Sequence, residues 1–176
     1  MPSTINVTEA DLFTALRAFL LAVIGSGTEV VKAQENRAAM PRGPFISMTP
    51  LFIEGLSTTV ATYTPDAGER HDTRTTQFRV QLDFYGPQAS MQAAIVAGIF
   101  RTERATELMA DGPLQPLYAG EPVQTTMING EQQFEDRWTL EVFMQFNPII
   151  TSSQDFADEL HIDRAEIDGT FPPGDH

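Results

Sequence analysis

Gln77–Pro87 reads QFRVQLDFYGP. Phe78, Val80, Leu82 and Phe84 alternate with Gln77, Arg79, Gln81 and Asp83, the period-two pattern of a strand with one buried face. Gly86-Pro87 ends the run, because proline has no N–H to offer a ladder. Directly afterwards Ser90–Met109 reads as a helix, with Met91, Ala94, Ile95 and Ile99 predicted to lie on the sheet and Gly98 to permit close approach. A second alternating run completes the pattern. Phe134, Trp138, Leu140, Val142, Met144 and Phe146 share one face, interrupted only by Asp136, and Arg137, Thr139, Glu141 and Gln145 lie opposite. Phe143 falls on that polar face. It is a candidate contact for a partner or for the C-terminal segment, unless other parts of the chain cover it. Asn129-Gly130, just ahead of the run, is a hairpin signal, since both central positions of a type I′ turn need positive φ.

Towards the beginning of the chain, Phe45–Tyr63 is rich in Thr, Ile, Phe and Val and reads as one long or broken strand, with Pro50 and Gly55 the expected places for an edge position or a bulge. The polar stretch Thr64–Thr73 is predicted to be a loop joining two antiparallel strands. Before it come a short β-branched run, Glu29–Ala33, and the loop Gln34–Pro44 with Pro41, Gly43 and Pro44. Residues 7–24 predict a first helix. Thr8 and Asp11 form an acidic variant of the capping box, Leu12, Leu16, Phe19, Leu20 and Val23 recur at helical spacing, and Gly25-Ser26-Gly27 stops the helix. After the turn Asp111-Gly112-Pro113, Leu114–Ile128 is extended but irregular. The expected fold is α+β, a mixed, largely antiparallel sheet packed by two main helices, over residues 1–150. Residues 151–176, with seven acidic side chains and one arginine, form an acidic C-terminal extension. A short strand around Leu160–Ile167 is possible within it, and a neighbour is expected to order the end.

The chain has 176 residues, 41% apolar and 20% charged, enough for one domain with a sizeable core. No apolar run approaches the roughly 20 residues needed to cross a bilayer, and the basic start of a signal peptide is missing, so neither membrane insertion nor export is expected. The absence of cysteine removes disulfides, thiolate metal sites and cysteine nucleophiles. A net charge of −13 with Lys32 the one lysine argues against gripping nucleic acid. An acidic surface would instead let DNA pass without sticking.

Catalytic chemistry is hard to find. His71, His161 and His176 are far apart, and His71 with Asp72 is short of the three or four convergent ligands of a metal site. Gly25-Ser26-Gly27 follows a helix, the wrong order for a phosphate loop, and no G-x-S-x-G elbow occurs. Glu135 and Asp136, adjacent on a strand, would point to opposite faces. No metal, cofactor or catalytic group is therefore expected. Arg37 and Arg42 in the proline loop could bind an anion, pair with carboxylates or make subunit contacts. Phe143, Phe171 in a Pro-Gly tail and the length of Thr64–Thr73 favour an oligomer over a monomer.

Two segments, Gln34–Leu51 (QENRAAMPRGPFISMTPL) and Gln77–Pro87, in this order after one helix and with Arg137 entering an alternating strand, resemble the neck-terminator, tail-terminator or tail-completion proteins of tailed phages. The resemblance spans about residues 7–148. It implies an α+β protein forming a homo-oligomer, a hexameric ring that caps the tail tube, ends its growth and meets the neck or connector, with DNA passing through the channel unbound. The partners implied are tube, sheath and neck proteins, in a virion component made in the host cytoplasm. Asn36, Arg37, Pro41 and Arg42 in one loop, Arg70 and His71 in the other, and Phe143 and Phe171 are the candidate subunit or partner contacts. The competing readings are another ring-forming head-completion or tail-tube component, and a cytoplasmic ligand-binding module.

Overall fold

The computed structural model describes residues 2–33, 41, 43–125, 127–128 and 134–155. In chain order they form β1 (Thr4–Ile5), α1 (Glu9–Ile24), β2 (Glu29–Lys32), β3 (Phe45–Gly55), β4 (Val60–Thr64), a 3-10 turn (Pro65–Ala67), β5 (Glu69–Thr73) and β6 (Thr76–Tyr85). Then come α2 (Ala89–Phe100), α3 (Glu103–Met109), β7 (Gln115–Ala119), β8 (Val123–Gln124), β9 (Met127–Ile128), β10 (Phe134–Glu135), β11 (Arg137–Phe146) and β12 (Ile149–Ser153). This is the α+β architecture expected, with a mixed, largely antiparallel main sheet.

The main sheet has the order β2-β3-β6-β11-β7, and β8 also pairs with β11. Only β2 and β3 run parallel. The alternation read from the sequence sets the register: Leu82 pairs with Met48 on one side and Leu140 on the other, and Val80 with Pro50 and Val142. This apolar face carries α1, α2 and α3, and Leu16, Leu20, Val80, Leu82 and Phe84 are wholly excluded from solvent. Phe13 meets Phe78 edge-on at 5.6 Å. The capping box is present: Asp11 N–H donates to Thr8 Oγ1 (3.3 Å) and Thr8 N–H donates to Asp11 Oδ2 (2.8 Å). Gly25, at φ 93°, closes the helix and donates to the Leu21 carbonyl. As expected near Pro50, β3 bulges between Pro50 and Phe52, and it ends at Gly55.

Three expectations need correction. The second helix is broken: Arg101 ends α2, and Thr102, in extended conformation, starts α3. The Arg101 guanidinium crosses to the Ala119 carbonyl at 2.6 Å, tying the break to β7. The buried face of α2 is also the other one. Ala89, Ala93, Val96, Ala97 and Phe100 face inward, whereas Met91 is 65% and Ile95 41% exposed. Alanines four residues apart let the helix seat closely, so the bulky Met91 and Ile95 are left outside. Gly98 is exposed and approaches nothing. Finally, Thr64–Thr73 is not a loop between the long strands. Its second half is β5, the partner of β4 and β12, and only Pro65–Gly68 turns, with Gly68 left-handed at φ 61°.

These strands form a second sheet, ordered β1-β12-β5-β4. Each of β4, β5 and β12 continues a neighbour in the main sheet (β3, β6 and β11), so this sheet prolongs the first as an arm. Arg74 stitches the junction, its Nε donating to the Ser57 carbonyl at 2.9 Å over Gly55. Beyond the polar run, β9 and β10 pair antiparallel, as the hairpin signal predicts; Asn129-Gly130 itself lies outside the described residues. So does the possible strand around Leu160–Ile167.

Candidate functional site

The two segments that carry the resemblance meet at one end of the main sheet. Phe45 opens β3 opposite Tyr85, the last residue of β6, and the rings stack with centroids 4.3 Å apart and planes 10° apart. The Arg137 guanidinium stands over Tyr85 at 5.8 Å. Gly86 has φ 108°, and a Cβ there would sit 3.2 Å from the Pro44 Cα, so only glycine lets the proline loop pack against the strand end. The result is a cleft of about 480 Å³ lined by Pro41, Pro44, Phe45, Tyr85, Pro87 and Asp136. Pro41 is therefore placed at a surface feature. Asn36, Arg37 and Arg42 lie outside the described residues.

The face of the main sheet away from the helices is polar but organised. Asp83, 3% exposed, accepts hydrogen bonds from Arg137 Nε (3.1 Å), Thr139 Oγ1 (2.7 Å) and Gln81 Nε2 (2.9 Å). Further along, Arg79 pairs with Glu141 and lies between Phe52 (5.3 Å) and Phe143 (4.9 Å). Tyr118 stacks on Phe143 at 4.0 Å. Phe143, proposed from sequence as a partner contact, is thus only 8% exposed and covered by its own chain. Its cover comes from β7, which the alternation of β11 alone does not reveal.

Arg70 and His71 lie on β5, in the middle of the arm, and not at a loop tip. Arg70 Nε donates to Asp72 Oδ2 at 2.9 Å, which raises the arginine's already high pKa, and its guanidinium lies 5.8 Å from the Tyr63 ring. The His71 ring bridges strands: Nδ1 is 2.9 Å from Thr151 Oγ1 and Nε2 is 3.2 Å from Thr64 Oγ1. No group of three metal-binding side chains occurs among the described residues, and no described helix is long and apolar enough to cross a membrane. Phe171 lies outside the described residues.

The distinctive surface chemistry is apolar. No residue of the arm strands is buried on either face. Large hydrophobic side chains stand exposed there, on the adjoining end of β3 and in the connection that follows it, among them Ile5 (50%), Ile53 (56%), Leu56 (48%) and Val60 (61%). A separate set, Leu117, Tyr118 and Val123, lies on β7 and β8 at the opposite edge of the main sheet, and Met91 and Ile95 mark the outer face of α2. Sequence reasoning missed all three, because an exposed apolar residue on an amphipathic element looks like a core residue until the register is known.

The sequence matches the family model described as phage neck terminator protein over residues 10–175. No curated protein matches it. Among solved structures, the fold is similar to the sheath/tube terminator of an extracellular contractile injection system, PVC, in its extended state, with a TM-score of 0.52. At 14% identity the likeness is one of fold; it covers 94% of this chain and 65% of that one, so the chain spans less than two thirds of that neighbour's length.

Proposed function

Since the chain belongs to the phage neck terminator family, a structural tail-terminating component, we propose that its copies close into a ring at the head-proximal end of the tail, end tube growth there and join the tail to the neck or connector. A hexamer is the expected ring. The observation that carries this reading is the pair of unlike apolar patches on opposite edges of one sheet: Leu51, Phe52 and Ile53 on β3, and Leu117, Tyr118 and Val123 on β7 and β8. A head-to-tail ring needs two different patches on every subunit, whereas a two-fold dimer needs only one. Lone exposed hydrophobics are ordinary, but groups of them at both sheet edges mark contact surfaces.

In this reading the protein has no catalytic role. The cleft at Pro41, the arm surface bearing Arg70 and His71, the loop with Asn36, Arg37 and Arg42, and the tail with Phe171 serve as subunit, tube or sheath contacts. The net charge of −13 suits a channel through which DNA slides without being held. The protein is made in the host cytoplasm and built into the virion tail. Electron microscopy of tails carrying a labelled copy tests the assignment. Label should appear at the head-proximal end in several copies per tail, and label at the distal tip would sink it.

A further inference from the structure

The arm's outermost strand, β4, differs from the edges of the main sheet at β2, β3 and β7. An edge strand invites pairing with another chain, and folds blunt such edges with charge, proline, bulges or short length. The edge at β2 is blunted: Lys32 pairs with Glu9, and Arg17 Nε donates to the Val30 carbonyl at 3.2 Å. Past β2, the edge of β3 carries Pro50 and a bulge. On the other side, β7 carries Pro116 and a register shift, and Arg101 covers the Ala119 carbonyl. The β4 edge carries none of these. Ser57–Thr64 reads STTVATYT, with no charge, proline or glycine and a high share of β-branched and aromatic residues.

The opposite edge of the same sheet is β1, within the exposed stretch Pro2–Asn6. From β1 to β12 to β5 to β4 every pairing is antiparallel, so β1 runs opposite to β4. A second copy's β1 laid beside β4 would therefore continue the alternation without a break. The faces agree as well. Ala61 shares a row with Asp72, Ile150 and Ile5, and Tyr63 lies two rows on, on the same face. Ile5 of a neighbouring copy would then lie beside the small Ala61 or against Tyr63, and five residues, Pro2–Asn6, match the five of β4.

We propose that neighbouring copies join by this pairing, the Pro2–Asn6 segment of one adding a strand to β4 of the next, so that the arms merge into one sheet around the ring. The proposal rests on the ring reading and goes further by naming the strands that meet. The chain has no cysteine, so introduced pairs report directly. Within one copy, β1 and β4 stand three strand spacings, roughly 14 Å, apart, too far for a disulfide. Oxidised tails bearing I5C with A61C, or I5C with Y63C, should yield a ladder of cross-linked multiples in at least one register, and I5C with E103C, at the exposed start of α3, should not. A61K, which places a charge on the edge, should fold normally and lose ring assembly. A multi-copy ring with no ladder from either pair, a ladder equally strong in the control, or full assembly of A61K would overturn the pairing while leaving the ring reading intact. A single copy per tail would overturn both.

Discussion

Removing the Arg137 side chain should destabilise the fold strongly, although the residue lies on the solvent side of the main sheet. Asp83 is buried there with its charge, and Arg137 holds it by a hydrogen bond from Nε at 3.1 Å and an ion pair with Nη2 at 3.0 Å. Arg137→Ala leaves the carboxylate with only Thr139 and Gln81, both neutral. A hydrogen bond to a charged group contributes about 1.5–3 kcal/mol; the guanidinium is 24% exposed, so the low end applies to it, and with the stranded buried carboxylate the loss is about 3 kcal/mol. That agrees with the roughly 3–5 kcal/mol expected when one partner of a buried pair is removed. For a chain of this size it corresponds to a fall of about 6–12 °C in Tm. Thermal and urea unfolding of the dilute full-length chain, followed by circular dichroism, reads the effect, and an unchanged m-value shows that only stability moved. The companion D83L/R137M removes both charges while keeping much of the volume, and should recover most of the loss. The reasoning fails if Arg137→Ala shifts Tm by less than about 2 °C, or if the double variant is as unstable as the single, since the harm would then not come from an orphaned charge.

Other consequences are as specific. Gly86→Ala must hold a side chain at φ 108° against Pro44, and should cost about 1–3 kcal/mol in the same unfolding assay. Phe143→Ala empties the space between Tyr118 and Arg79 and should cost about 3 kcal/mol, whereas Arg70→Ala, which removes a solvent-exposed guanidinium, should leave unfolding little changed. Thr8 donates from its hydroxyl and its N–H to Asp11, holding that carboxyl below 3.8. The resulting stabilisation is complete above pH 3.8 and fades as pH falls towards the lower native value; in Thr8→Ala, carboxyl NMR should find Asp11 titrating nearer 3.8. Met91→Asp with Ile95→Asp, on the outer face of α2, should leave unfolding within about 0.5 kcal/mol of the parent and reduce incorporation into tails.

The main sheet was legible because one of its faces is buried. Period-two runs at Phe78–Phe84 and Leu140–Phe146 then have a single consistent reading, and the Thr8–Asp11 cap is a local signal that needs no tertiary context. The arm was illegible for the converse reason. Glu69–Thr73, ERHDT, forms a strand with both faces at least partly open, so no apolar alternation marks it, and its polar residues read as a loop. In α2 the sequence ASMQAAIVAGIF is apolar all round, and two faces fit helical periodicity equally well. Contact with α1 and β11 chooses between them. The meeting of Pro44 with Gly86 and of Phe45 with Tyr85 joins segments forty residues apart, and it follows from strand register, which neither segment encodes alone.

The arm also constrains how assembly proceeds. A sheet with no buried side chain cannot hold itself together, since even three or more strands need an apolar face to cover before they are stable in water. Here the register is imposed from below: β4, β5 and β12 emerge from paired strands of a cored sheet, and Arg74 and Ser57 lock the junction. Local opening is cheapest where buried contacts are fewest, so in the free subunit the arm is the least protected part of the paired backbone. Its apolar residues contribute little to that subunit, because water still reaches them. If copies join through β4, those residues are buried only when the next copy arrives, and the stabilisation missing from the monomer is released at ring closure. Ordering of the arm and growth of the ring then become one cooperative step, which favours a completed ring over a free subunit without requiring a tight interface elsewhere.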